Sequence, residues 1–180
     1  QGVVQIRTST NAYYAGTVSV ETIKAGGEGM DDWQRILIAV NDSDDALRAI
    51  RYVGQAAKLA DEISIYLLYV YPDPPPDYYT KGGTLDAYKE VMHHQATMAI
   101  KAAMSHLEKF GVSEQSIEID IQLADGRTIS QAILQAQETY QCSTVVVGKR
   151  GISKNEEFLF GSISNSLARN TKGFTTWIVG

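Results

Sequence analysis

The chain has 180 residues, 44% of them hydrophobic, which is enough for one domain with a buried core. Its formal net charge of -5 argues against a general nucleic-acid binder, because such proteins are usually basic. No apolar run reaches the roughly 18 residues that a membrane-spanning helix needs, so we expect no membrane span, and the acidic charge predicts no nucleic-acid partner. The single cysteine, Cys142, lies in the apolar run CSTVVVG and is predicted to be a buried, reduced thiol, which favours a cytoplasmic location.

The first 29 residues have a different pattern from the rest of the chain. VVQIR and TVSVETI alternate like half-buried strands and predict a hairpin, and KAGGEG is typical of a flexible joint. We therefore expect an N-terminal extension over residues 1–29 and one domain over residues 30–180. An appendage, a tag remnant and the end of a preceding module remain three open interpretations of the extension.

From residue 33 onward, short apolar runs alternate with amphipathic segments. Five strands are predicted, in RILIAV (35–40), EISIYLLYVY (62–71), SIEIDIQLA (116–124), STVVVG (143–148) and FTTWIVG (174–180). Helices are predicted after each of the first four strands. Strands that are apolar on both sides and alternate with helices indicate a parallel sheet covered on both faces, a doubly wound α/β sandwich.

Three of the connecting segments carry specific predictions. Ser43 or Asp44 is expected to cap the first helix. The second helix is expected to run from about Leu85 to Phe110 and to stop at Gly111. Its inward face is predicted to contain Leu85, Tyr88, Met92, Met98, Ala102 and Leu107. The preceding segment PDPPPDYYTKGGT is predicted to be a loop, neither helix nor central strand, whose Tyr78 and Tyr79 either fold over a bound base or lie in solvent.

The stretch GKRGISKNEEFLFGSIS (148–164) carries glycines at two structurally defined places. Gly148 ends the fourth predicted strand, and Gly161 precedes Ser162 near the start of the last helix. A helix N-terminus attracts phosphate, and glycine lets the main chain approach an anion closely. Ser162 and Ser164 add hydroxyl donors, so the stretch fits a triphosphate cradle. The same glycines also fit a plain strand end and a plain helix start, and their spacing alone leaves both interpretations open.

The pattern Gly148-x2-Gly151-x9-Gly161-Ser162 resembles the ATP-binding signature of the universal stress protein family. ILIAVNDSDDALRAIRYV resembles the family's first strand and helix, IYLLYVY its second strand, and GRTISQAI the turn into its third helix. The resemblance covers roughly residues 34–179. It implies a five-stranded parallel sheet of the adenine-nucleotide alpha-hydrolase-like type, with strand order 3-2-1-4-5.

The resemblance also implies a binding site for ATP, or for AMP or ADP in its place. By position, Gly148 and Gly151 should line the phosphates and ribose. The residues that should hold the phosphates, partly through main-chain N–H groups, are Gly161, Ser162, Ile163 and Ser164. Ala39, Val40 and Val70 lie beside the adenine. Lys149 and Arg150, inside the glycine loop, either pair with phosphates or are solvated surface charges.

The chain departs from the family after the first strand, where aspartate is usual and Asn41 stands instead. Asparagine keeps an acceptor and gains a donor but loses the charge, which puts the nucleoside contact of Asn41 in question. Asp42, with Asp44 and Asp45, could hold Mg²⁺ through water, or these acids serve the helix start instead. The last strand lacks the proline usual near its start, which puts the family's dimer interface in question.

No Ser-His-Asp set, GxxxxGK[ST] motif or catalytic carboxylate pair is present. The resemblance therefore implies a cytoplasmic, ATP-binding stress-response domain that signals through nucleotide-dependent conformation and forms a homodimer through its last strand. Slow ATP hydrolysis stays open. Three different functions also stay open: a dimerisation module that binds no nucleotide, an adenylating enzyme and a flavodoxin-like electron carrier.

Overall fold

The computed structural model describes residues 6–7, 33–60, 62–149 and 162–180. The strands are β1 (Ile6–Arg7), β2 (Arg35–Ala39), β3 (Ser64–Tyr71), β4 (Ile117–Leu123), β5 (Thr144–Gly148) and β6 (Thr175–Val179). The helices are α1 (Asp44–Ala57), α2 (Pro76–Thr80), α3 (Leu85–Lys109), α4 (Ile129–Thr139) and α5 (Ser162–Asn170). A short 3-10 turn, Glu114–Ser116, leads into β4.

All strand pairs are parallel, and the sheet order is β1-β4-β3-β2-β5-β6. The five predicted strands are β2 to β6, so the predicted order 3-2-1-4-5 and the α/β fold class are confirmed. From β2 the chain first builds outward through β3 and β4, and then returns to add β5 and β6 on the other side. The strand order therefore reverses between β2 and β5, where such folds bind ligands at the carboxyl ends of the strands.

Helices cover both faces of this sheet. On one face, α1 and α3 bury an apolar cluster that includes Ile36, Ile38, Leu67, Ile50 and Leu107. On the other, α4 and α5 bury a second cluster that includes Leu37, Leu68, Val145, Ile133 and Leu167. Because successive strand residues face opposite sides, burial on both faces requires the continuous apolar runs found in β2 and β5.

The N-terminal part contributes one short element to the described structure. Ile6 pairs with Ile119 and Arg7 with Asp120, so β1 extends the sheet beyond β4. The rest of the predicted hairpin lies outside the described residues, and the boundary at residue 30 stays a prediction. Among the helices in the described part of the chain, none has the length and apolar character of a membrane span.

The prediction that the proline-rich segment contains no helix is wrong. Pro76 begins α2, and Pro75 precedes it in an extended conformation. Proline is favourable at the first position of a helix, because the N–H that it lacks would have no partner there and its φ is already helical. The Tyr78 ring packs edge-on against Tyr88 of α3 with centroids 5.4 Å apart, which holds this short helix against the domain.

The extent of α3 is as predicted, but part of its predicted inner face is wrong. The helix ends at Lys109, and Gly111 follows with a φ of 88°, a conformation that glycine favours. Met98 is 60% exposed, Leu85 is 37% exposed and Ala102 is also exposed. The residues that are fully buried are Ala96, Ile100, Ala103 and Leu107. Since alanine and methionine occur on both sides of α3, hydrophobicity could not select the buried side, and packing against α1, β3 and β4 decided it.

Candidate functional site

The candidate site lies at the carboxyl ends of β2 and β5. These strands are adjacent and parallel, with Ile38 of β2 paired to Val146 of β5. Their carboxyl ends therefore meet at one edge of the sheet. Val40 continues the sheet beyond β2, since its N–H donates to the Leu68 carbonyl at 2.8 Å. The helices that follow, α1 and α5, begin at this same edge.

Asn41 and Ser43 form the turn between β2 and α1. The Asn41 side-chain oxygen accepts a hydrogen bond from the Ser43 N–H at 2.9 Å. Ser43 caps α1, because its hydroxyl accepts from the Ala46 N–H at 3.1 Å. An aspartate at position 41 could accept the same bond, so the departure from the family pattern preserves the turn.

Gly148 has a packing role at this edge. A Cβ added there would lie 2.8 Å from the carbonyl carbon of Asp45 and 2.9 Å from the Ala46 nitrogen. Both atoms belong to the main chain of the first turn of α1. Gly148 therefore allows the start of α1 to approach β5 closely, whether or not it also contacts a ligand.

The first turn of α5 is joined directly to the end of β5. The Ser164 hydroxyl, which is buried, donates to the Lys149 carbonyl at 2.9 Å. The Lys149 N–H donates to the Val179 carbonyl at 2.6 Å and connects this residue to β6. Ser162, the first residue of α5, is exposed, and Ile163 is half-buried. The N-terminus of α5 is thus fixed at the switch point, where its partial positive charge favours an anion.

The structure brings three of the predicted ligand residues together on the α4–α5 face. Ala39, Val70 and Ile163 are all half-buried and pack against the same apolar cluster. Val40 is 5% exposed and belongs to the cluster on the opposite face, so it supports the edge from the other side. An apolar surface beside a helix N-terminus suits a ligand with an aromatic base and a phosphate group.

Two further residues at this edge were missed by the sequence analysis. Gln122 is half-buried and pairs in register with Val70, and Ile129, at the start of α4, packs against the same cluster as Val70. The alternation of β4 carried a signal for Gln122, because Glu118, Asp120 and Gln122 are the polar residues of that strand. Only the structure shows that these three polar residues face α4.

The acidic residues after β2 are spread along the turn and the start of α1. Asp42 and Asp44 are exposed, whereas Asp45 is half-buried and forms a salt bridge with Arg48. Burial, with a further contribution from the Asp42 charge, raises the pKa of Tyr69 above its usual value. Over the described residues, no three His, Cys, Asp or Glu side chains are grouped as metal ligands would be. A role for Asp42 with Mg²⁺ stays a prediction.

The proline-rich connection between β3 and α3 also lies at this edge of the sheet. The Asp73 carboxylate accepts from the Gly126 N–H at 2.9 Å, and the Tyr88 hydroxyl donates to the Pro72 carbonyl at 2.9 Å. The connection is therefore tied both to the turn before α4 and to α3. Tyr78 packs against Tyr88, while Tyr79 remains 51% exposed.

Several predicted ligand residues cannot be located on this framework. Arg150, Gly151 and Gly161 lie outside the described residues, as does the loop between them. Their predicted phosphate and ribose contacts stay predictions, as do those of Gly148, Lys149, Ser162 and Ser164.

Comparisons with known proteins agree with this architecture. The model of the universal stress protein family matches residues 32–174. No curated protein sequence matches the chain. Among solved structures, the chain is similar to UspA from Lactobacillus plantarum, with 16% identity, a TM-score of 0.63 and coverage of 82% of this chain and 98% of that one.

Two further similar structures contain nucleotides. A universal stress protein in complex with cAMP is 19% identical, with a TM-score of 0.60 and coverage of 82% of this chain and 97% of that one. The universal stress protein from Archaeoglobus fulgidus in complex with dAMP is 17% identical, with a TM-score of 0.55 and coverage of 82% and 98%. At these identities the likeness establishes the fold.

Proposed function

The chain belongs to the universal stress protein family, and from this premise we propose that it is an ATP-binding regulatory domain. ATP binding at the switch point would order the glycine loop and change a surface that a partner or a second copy recognises. A role in the stress response and a cytoplasmic location are parts of the same proposal.

One observation carries the proposal: the hydrogen bond from the Ser164 hydroxyl to the Lys149 carbonyl. It holds the first turn of α5 against the end of β5, so the helix N-terminus is in place before any ligand arrives. The main-chain N–H groups of a first helical turn have no partner within the helix and suit phosphate oxygens. Because the Ser164 hydroxyl is already engaged, we propose that Ser164 contributes through its main chain.

The nucleotide is proposed to lie along the α4–α5 side of the edge. The adenine would pack on Ala39 and Val70, with Gln122 at the rim. The phosphates would meet the first turn of α5 and the glycines of the loop, with Lys149 and Arg150 adding positive charge. Two relatives of this fold hold adenine nucleotides, which supports the choice of base. ATP in particular is proposed because the loop from Gly148 to Gly161 is long enough to surround a phosphate chain.

A charge substitution at the start of α5 tests this arrangement. Ser162→Asp places a carboxylate where the phosphates are proposed, so like charges repel and the dissociation constant for ATP should rise at least about tenfold. An acid in the first turn suits the helix itself, so the fold should be preserved. Isothermal titration calorimetry measures the affinity, and circular dichroism checks the fold.

Ala168→Asp provides the matched control. It adds the same charge at an exposed position about 9 Å further along the same helix, beyond its first turn. Its ATP affinity should stay within about twofold of the wild type.

Gly161→Val should also weaken binding strongly, because its side chain would obstruct the phosphates. Equal affinities of wild type, Ser162→Asp and Gly161→Val would refute the cradle. If the wild type does not bind ATP, the alternative function, a dimerisation module that binds no nucleotide, is favoured.

We also propose that β6 mediates a homodimer. Within the described sheet β6 is an edge strand, and its Trp177, Ile178 and Val179 side chains are half-buried rather than fully covered. The Thr175 N–H and Val179 carbonyl face β5, so by alternation the Thr176 N–H faces the open edge. Thr176→Pro removes that donor and should dissociate the dimer. Thr176→Val, which retains the N–H but lacks the hydroxyl, should remain dimeric in light-scattering measurements.

A further inference from the structure

The outer side of α3 carries apolar residues that the domain does not use. Val91 is 56% exposed and Met98 is 60% exposed. Ala87 and Ala102, also exposed, lie on the same side of the helix, because these spacings of four, seven and four residues follow the helical repeat. The opposite side is the one buried against α1, β3 and β4. No element in the described part of the chain covers this outer side.

We propose that the outer side of α3 binds α3 of a second copy in an antiparallel pair. With the twofold axis between His94 and Gln95, Val91 of one copy lies opposite Met98 of the other. Ala87 then lies opposite Ala102, and these small residues let the helices approach closely at both ends of the contact. The contact extends over about 22 Å, at 1.5 Å per residue. The apolar faces of two copies are therefore complementary when the two helices are antiparallel.

The charges beside this face support the same orientation. Glu90 and Lys101 are both exposed and lie on one flank of the helix, about three turns apart. A twofold axis perpendicular to the two helices brings equal flanks together and reverses their direction. Glu90 of each copy therefore lies near Lys101 of the other, whereas a parallel pair would bring opposite flanks together and leave Glu90 away from Lys101.

This surface is distinct from the proposed β6 interface. In the sheet order, α3 packs over β3 and β4, while β6 is at the other end of the sheet. A chain could use both surfaces at once. Assembly through α3 is thus measurable in the Thr176→Pro background, and its failure would not bear on ATP binding.

A substitution on the outer face tests the association. Met98→Glu places a charge in the apolar contact with Val91 of the other copy, and should raise the dissociation constant at least about tenfold. Leu59→Glu is the control, because Leu59 is 85% exposed and lies after α1. Sedimentation equilibrium over a range of protein concentrations gives the constants. The same mass for wild type and Met98→Glu at every concentration would overturn the proposal.

Cysteine cross-linking tests the register. Cys142 is 1% exposed, so the wild type should not cross-link on mild oxidation. His94→Cys should cross-link to itself, because the two positions meet at the axis. Val91→Cys alone should not, since its two copies are about 10 Å apart along the helix. A mixture of Val91→Cys and Met98→Cys should form the mixed dimer. Self-cross-linking of Val91→Cys as efficient as that of His94→Cys would contradict the antiparallel register.

Discussion

The two ends of the central strands β2, β3 and β5 are built from different kinds of residue. At the amino end, large side chains meet: the Tyr66 and Tyr140 rings stack with centroids 4.8 Å apart, and Arg35 donates to the Tyr140 carbonyl at 2.9 Å. The Tyr140 hydroxyl donates to the buried Asp120 carboxylate at 2.8 Å. At the carboxyl end, the contacts involve a glycine, serines, an asparagine and main-chain groups.

The two ends therefore have different roles: the amino end stabilises the fold, and the carboxyl end is the proposed binding site. Side chains fill the amino end, and burial there raises the pKa of Tyr66 to about 12, with Glu118 adding to the shift and Arg35 opposing it. At the carboxyl end, small residues let α1 and α5 begin close to the sheet with their N-termini directed to one place. We therefore expect substitutions at the amino end to change stability alone, and substitutions at the carboxyl end to affect ligand binding as well.

The largest effect is expected at Gly148. Gly148→Val places carbon atoms against the main chain of α1. Because a helical main chain cannot move aside as a flexible side chain can, the free energy of unfolding should fall by about 3 kcal/mol. Gly173→Ala is the comparison, because Gly173 has open space around it and a φ of 75°, so only backbone strain of about 1 kcal/mol is expected. Urea denaturation measures both, and equal losses would show that close packing at Gly148 is unimportant.

The next effect is expected at the amino end. Tyr140→Phe keeps the stacked ring and removes the hydroxyl that donates to Asp120, which should cost about 1–2 kcal/mol of stability. The affinity for ATP should remain unchanged, because the site lies at the opposite end of the strands. A loss of ATP affinity in the folded Tyr140→Phe protein would contradict the separation of the two ends.

Ser164→Ala examines the carboxyl end with a change of one atom. It removes the donor to the Lys149 carbonyl and should cost about 1 kcal/mol of stability. It should also lower the affinity for ATP several-fold, because the first turn of α5 is held less firmly. Thr171→Val, which removes a hydroxyl near the end of the same helix, should lower stability and leave the affinity unchanged. An unchanged affinity for ATP in both variants would show that the Ser164 hydroxyl does not contribute to ATP binding.

At neutral pH the smallest effect is expected at Cys142, because its thiol titrates only at alkaline pH. Burial raises the pKa of the Cys142 thiol to about 12 from an ordinary 9.0, a shift that Arg35 opposes and Glu118 favours. The stability that the neutral thiol contributes is complete below about pH 9 and is lost as the pH rises towards 12. Between these values the free energy of unfolding should fall less steeply in Cys142→Ala than in the wild type. Identical slopes would show that the thiol is not shielded.

The prediction at the proline-rich segment failed for a local reason. Proline excludes the interior of a helix or a central strand, but it favours the first turn of a helix, so Pro75 and Pro76 were compatible with either a loop or the start of α2. The Tyr78–Tyr88 contact, between residues of different elements, is what tertiary packing adds here.

The sequence by itself determined the five strands, the doubly wound parallel class and a cap at Ser43 or Asp44, because these depend on periodicity and on groups a few residues apart. It also indicated the edge at Gly148, Ser162 and Ser164 through their places at a strand end and a helix start. Only the tertiary structure decided which side of α3 is buried, that Gly148 accommodates the main chain of α1, and that Gln122 faces α4. Each of these depends on a neighbour distant in the chain, and a one-dimensional pattern does not specify which distant residues come into contact.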